Sequence, residues 1–196
     1  QAWRRGVEKV PALKEPVLED RRPAVEALIR AMRKAGRHFV DPANWEQNAA
    51  ILARPEYIDG VARLILHAIS DQLVLSKGAE PMPYSDFMFQ YREAANFPWV
   101  SQAQWLYTQL VRWEGIPFNP ADALEAGRVF RPDVYRSALK GTGDILPGAS
   151  SKVEGSLKQP TSVGSQQGNY VLDNNKFFDD VTFDPDHMDD YLRTLP

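Results

Sequence analysis

The chain has 196 residues, 43% hydrophobic and 25% charged, with 23 basic against 26 acidic side chains and a formal charge of −3. That balance belongs to a globular protein with a buried core and excludes both a disordered tail and the basic footprint of a nucleic-acid binder. The absence of cysteine removes thiolate catalysis, disulfides and Cys-based zinc sites, and no run approaches the ~20 apolar residues of a membrane span.

Pro11 and Pro16 keep residues 1–22 from forming one helix, so an extended segment or short broken helices is expected there. From Pro23 the apolar residues Val25, Leu28, Ile29, Met32, Ala35 and Phe39 recur at helical spacing, with Arg30, Arg33, Lys34 and Arg37 opposite. Asp41 and Pro42 cap and start a second helix with Trp45, Ala49 and Leu52 on its stripe, ending before Pro55. A third is expected over 58–73 and a fourth over 84–95, with Phe87, Met88 and Tyr91 in phase.

Residues 101–113 give the clearest signal. Ser101 and Gln104 read as a capping box, Trp105, Leu106, Leu110 and Trp113 as the stripe, and Gly115 as the left-handed exit. Asn119 and Pro120 then cap a helix to about Val129, and Pro132 starts another that ends near Gly141. Beyond Gly141 the composition turns to Gly, Ser, Pro and Gln, which predicts an irregular arm; Phe177, Phe178, Val181 and Phe183 are expected to dock it on a neighbouring surface. The last residues, 186–195, suggest a short helix. Any strand is expected before Pro23 or in the arm.

Few residues offer chemistry. His38, His67 and His187 are far apart and match no metal or catalytic spacing, and no Gly-x-Ser-x-Gly elbow, phosphate loop or dinucleotide fingerprint occurs, so no catalytic residue is assigned and the chain is not expected to be an enzyme. Asp179, Asp180, Asp184, Asp186, Asp189 and Asp190 could converge on a hard cation, but Asp-Pro-Asp forming a turn and capping the last helix is the simpler expectation, so no metal site is assigned. Trp99, Trp105 and Trp113 suit core packing better than a sugar-stacking platform. Lys9, in Val7-Glu8-Lys9-Val10, reads locally as a surface lysine.

Several segments in order resemble the NitT/TauT-type substrate-binding proteins of ABC importers for nitrate, nitrite or bicarbonate. They are Pro23-Ala-Val-Glu-Ala-Leu-Ile-Arg-Ala-Met through Asp41-Pro-Ala-Asn, Ile51-Leu-Ala-Arg-Pro-Glu-Tyr57, Gln104 to Trp113, and Phe130-Arg-Pro-Asp-Val-Tyr-Arg136. The arm adds Lys152-Val-Glu-Gly155, Phe177-Phe-Asp-Asp-Val-Thr-Phe-Asp-Pro-Asp186 and Tyr191-Leu192. Two departures stand out: Asp180 occupies the place of a Gly after Phe-Phe-Asp, and no tryptophan follows Lys152-Val-Glu-Gly at the family's distance.

The resemblance implies a predominantly α-helical, C-terminal segment of an α/β two-lobed (type II) periplasmic binding protein, an upstream part having been removed or lost before Gln1. The expected organisation is a crossover segment over 1–22, the helical part of lobe one over 23–140, and an arm over 141–196 that packs back on it. Its implied function is a periplasmic receptor for a small oxyanion, with an ABC permease as partner; a cytoplasmic nitrate sensor or a binding-protein-like regulatory domain is the alternative. Lys9 falls in the Glu-Lys-Val segment similar to the one that supplies the family's basic anion ligand, so that role is assigned to Lys9. No cofactor is implied, except calcium if the ligand is bicarbonate.

Overall fold

A computed structural model describes residues 3–6, 9–165 and 167–195. The chain divides into two compact units, one formed by Gln1–Arg30 with Phe97–Pro196 and the other by Ala31–Asn96. Helix α2 (Arg22–Phe39) contributes residues to both.

In the first unit α1 (Glu15–Asp20) precedes α2, followed after Phe97 by α5 (Val100–Glu114), α6 (Pro120–Val129), α7 (Pro132–Leu139), the strands β3 (Thr161–Ser165) and β4 (Gly168–Leu172), and α8 (Met188–Thr194). The start of α2 is tied to α7, where the Ser137 hydroxyl donates to Glu26 at 2.8 Å and Arg30 donates to the Ala138 carbonyl at 3.1 Å. Helices α5 and α6 pack together. Asn119 caps α6 by accepting from the Ala121 amide at 2.9 Å, and Gly115, at φ 64°, ends α5. Strands β3 and β4 form an antiparallel hairpin that pairs Val163 with Tyr170.

The core of this unit joins the two ends of the sequence. Trp3, Phe177, Phe183 and Tyr191 are buried together with Trp105, Val181, Met188 and Leu195 against them. Trp3 lies 4.8 Å from Trp105 and 4.9 Å from Phe177, centroid to centroid, and its indole N–H donates to the Asn175 carbonyl at 3.0 Å. The Trp105 indole and the Gln109 amide both donate to the Tyr191 hydroxyl, at 2.9 and 3.3 Å. Each buried aromatic polar edge therefore has an acceptor, as burial of such groups requires. Phe178, expected to dock, points to solvent.

The second unit holds the end of α2, then α3 (Trp45–Leu52), α4 (Ala62–Ile69) packed on α3, and two two-residue strands, β1 (Gln72–Leu73) and β2 (Met82–Pro83), paired antiparallel. Asp41 accepts from the Ala43 amide at 3.0 Å and caps a 3₁₀ turn, Pro42–Asn44, that leads into α3.

Here three element-level expectations are corrected. The helix over 58–73 shrinks to α4, because Asp59 and Asp71 take positive φ (51° and 59°) and turn the chain before and after it. Strands β1 and β2 follow in a stretch expected to lack them. Residues 84–95 form no α-helix, only a 3₁₀ turn at Arg92–Ala94 with Glu93 and Ala94 at φ 52° and 57°. Tertiary contacts take what a helix would use: Arg33 donates to the Tyr91 carbonyl at 3.1 Å and lies 3.8 Å over its ring. The backbone at Gln90 also approaches Gly36 so closely that a Cβ there would lie 2.8 Å from the Gln90 carbonyl oxygen.

Candidate functional site

Lys9 lies in an extended stretch, residues 9–14, that leads into α1, and its side chain is exposed. Val7 and Glu8, which complete its motif, lie outside the described residues. Lys14, five residues on, is equally exposed at the N-terminal boundary of α1. The local surroundings of the two lysines do not set Lys9 apart.

Beside this stretch a groove of about 250 Å³ is lined by Glu15, Leu18, Glu19, Arg22 and Arg131. Its two cations are already engaged. Arg22 meets Glu26 at 2.8 Å, and Arg131 makes a two-pronged bond to Asp133 at 2.9 and 2.8 Å that holds the Asp133 carboxyl below its ordinary range. An anion entering the groove would face Glu15 and Glu19 and compete with carboxylates for both guanidinium groups.

The most deeply buried charge in the unit is Glu154, which is fully enclosed. It pairs with Lys152 and accepts a 2.7 Å bond from the Ser101 hydroxyl, while Ser101 itself accepts from the Lys152 amide at 3.3 Å. Lys152 also sits 5.2 Å over the Trp99 ring. Ser101 thus serves Glu154 and does not form the expected capping box; Trp99 is the N-cap of α5, with no side-chain cap bond. On the backbone, Glu154 and Phe183 exchange amide–carbonyl bonds of 2.8 and 2.9 Å. The two arm motifs are in this way clamped to each other and to the start of α5.

Arg136 forms a second centre. It donates to the carbonyls of Pro147, Gly148 and Ala149 and to the Ser150 hydroxyl, and it lies 4.9 Å over the Phe97 ring. Burial lowers its pKa, but a guanidinium remains a cation, here a staple for the loop that follows α7. Glu154 and Arg136 were not singled out from the sequence. Ser101 was noticed only as a cap, and the Lys152-Val-Glu-Gly motif only through its resemblance.

The remaining sequence candidates stay apart. His38 is exposed, His67 half-buried on α4, and His187 exposed and 3.1 Å from Asp184. Among the described residues no three His, Asp or Glu side chains are placed to hold a metal ion. Asp184 accepts from the Asp186 amide at 3.0 Å and organises the turn before α8. Trp99 is buried and Trp105 half-buried, as core packing requires, but Trp113 is 70% exposed. Among the described residues no helix is long and apolar enough to cross a membrane.

No family model matches the chain. It is 30% identical over 97% of its length to the nitrate import ATP-binding protein NrtC of Synechococcus elongatus, covering 25% of that protein. It is 26% identical over its whole length to the nitrate/nitrite binding protein NrtA of the same organism, covering 40% of it. Its fold matches the crystal structure of the periplasmic nitrate-binding protein NrtA from Synechocystis with a TM-score of 0.73 and 22% identity, over 94% of this chain and 44% of that one. The chain therefore spans less than half the length of these relatives. With the sequence likeness running end to end and the helical segment of a type II binding protein as its fold, the chain belongs to the NitT/TauT-type, nitrate- and bicarbonate-related substrate-binding protein family.

Proposed function

We propose that the chain is part of a periplasmic receptor that captures a small oxyanion, nitrate or nitrite ahead of bicarbonate, and delivers it to an ABC importer. The end-to-end sequence likeness to a nitrate/nitrite binding protein carries this proposal. In it, residues 1–22 cross between lobes, 23–140 build lobe one, and 141–196 pack back on it. Lys9 meets the anion with its ammonium group, for which its exposed position leaves it available. A bicarbonate ligand would bring calcium with it.

Calorimetry on the complete gene product tests the proposal, with nitrate, nitrite and bicarbonate titrated with and without calcium. A charge-assisted hydrogen bond contributes about 1.5–3 kcal/mol, so Lys9→Ala should weaken nitrate binding at least about tenfold. Lys14→Ala serves as the control and should change little. Equal affinities for the two variants would remove Lys9 from the site, and no binding of any of the three anions would remove the receptor function. Recovery of the gene product in the osmotic-shock fraction tests its location.

A further inference from the structure

Helix α5 and its N-cap carry an apolar stripe, Trp99, Ala103, Leu106, Leu110 and Trp113, whose 4-3-4-3 spacing keeps it on one side. Exposure climbs along it: 4% at Trp99, 6% at Ala103, 39% at Leu106, 52% at Leu110 and 70% at Trp113. Ile116, just past the helix, is 42% exposed. The neighbours of α5 lie elsewhere on it: α6 brings Gly127 against Val100 and Gln104, and α8 brings Tyr191 to Trp105 and Gln109. Among the described residues the second half of the stripe is bare.

We propose that this bare half-stripe seats an amphipathic helix from the part of an NrtA-like polypeptide that lies outside the matched stretch. Three observations select that occupant. The spacing is the narrow seam that helices present to other helices, not the broad face a sheet covers. The bare patch amounts to roughly 400 Å², more than a monomer ordinarily leaves in one piece yet about half of what each partner of a stable dimer buries, so a segment of the same polypeptide fits better than a second copy. The chain exposes 12385 Å², whereas two separate compact units of these sizes would expose roughly 11,000 Å², and it matches only 40% of an NrtA chain. The proposal rests on the family assignment and not on which anion is bound.

Hydroxyl-radical footprinting of Trp113 tests it, in the 196-residue chain and in the complete gene product, with sedimentation run on both. The expected result is rapid oxidation of Trp113 in the short chain and at least about tenfold protection in the complete product while it sediments as a monomer. Equal oxidation in both, or a gene product no longer than this chain with Trp113 open, would overturn the proposal. Protection that appears only with dimerisation would overturn it in favour of a second copy. As a second readout, Leu110→Glu should leave the melting of the short chain unchanged and lower that of the complete product. Nitrate calorimetry on that variant separates the two proposals, because a receptor could fail to bind anion and still protect Trp113.

Discussion

The C-terminal arm and the helical hairpin α3–α4 reverse the usual association of regular structure with burial. The arm has little helix or strand between Gly141 and α8, yet Glu154 and Phe183 are fully enclosed and Phe177 is 6% exposed. The hairpin is helical on both sides of its turn, yet Tyr57, Ile58, Val61 and Leu64 are exposed by 64, 57, 63 and 50%. Regular backbone satisfies its own hydrogen bonds whether or not its apolar face is covered, whereas irregular backbone persists only where side chains and neighbouring strands meet its polar groups. The arm meets that demand through the Glu154–Phe183 bridge, the Ser101 hydroxyl on Glu154, and the Asn175 side chain, which accepts from the Leu157 amide at 2.9 Å. The arm is thus specified by particular residues and the hairpin by a pattern.

If so, a single small change in the arm should do more damage than a larger one on the hairpin. Gly155 is the sharpest place to look. Its φ is +77°, and a Cβ there would sit 2.5 Å from Phe177 Cδ2, 2.8 Å from Phe177 Cε2 and 3.1 Å from the Val181 carbonyl oxygen. Left-handed strain of about 1–2 kcal/mol adds to overpacking of about 1–3 kcal/mol, so Gly155→Ala should cost roughly 3 kcal/mol and lower Tm by about 6–12 °C. Thermal unfolding followed by Trp fluorescence reads this directly, since Trp3 and Trp105 lie in the same cluster. A loss under about 1 kcal/mol would mean that Phe177 moves freely and the clamp is loose. On the hairpin Val61→Ser, a larger change in polarity, should stay within about 0.5 kcal/mol.

A smaller effect is expected at Gly36, the one place in the second unit where irregular chain is held as the arm is. Gly36→Ala drives a Cβ to 2.8 Å from the Gln90 carbonyl oxygen, a backbone atom with little room to yield. The helix itself favours Ala over Gly by about 1 kcal/mol, which offsets part of an overpacking cost of about 1–3 kcal/mol. The net loss should be about 1 kcal/mol, visible as faster amide exchange over residues 84–96 with α3 and α4 unchanged. Unaltered exchange there would show that the segment is not held through this approach.

Much of this was legible in the sequence, and the boundary has a physical cause. The capping at Asp41 and Asn119, the exit at Gly115 and the spans of α5, α6 and α7 are written in local residues, so they could be read locally. Residues 84–95 show helical spacing at Phe87, Met88 and Tyr91, but Arg33 and Gly36, some fifty residues away, decide their conformation. Ser101 offers a capping residue to any local reading, yet Glu154 takes its hydroxyl from a position 53 residues later. The pairing of the two arm motifs depends on contacts between residues roughly thirty apart, and a motif alone names its residues without naming their partners. Lys9 was assigned through resemblance, and its exposed surroundings carry no local mark of that role.

The smallest expected effect sharpens the contrast, because it concerns a residue on which the arm departs from its relatives' pattern. Asp180 stands where the family resemblance leads one to expect glycine, and its φ is 60°, in the left-handed region that glycine enters freely. Asp is among the side chains that tolerate this region best, and here Lys176 pairs with it and holds its carboxyl below the ordinary aspartate range. Asp180→Gly relieves the backbone, frees the unfolded chain to sample more conformations and removes the ion pair, three changes that oppose one another. At pH 7 the melting temperature should therefore move by no more than about 2 °C. The pH dependence separates the contributions. A carboxyl whose folded pKa is depressed adds stability that is present above its unfolded pKa and is lost as pH falls through the folded one. Wild type should accordingly lose stability relative to the glycine variant as the pH falls through the range below 4, and high salt should narrow the difference at pH 7. Parallel melting curves across pH 2–7 would show that the pair contributes nothing and that Asp180 is retained on backbone grounds alone.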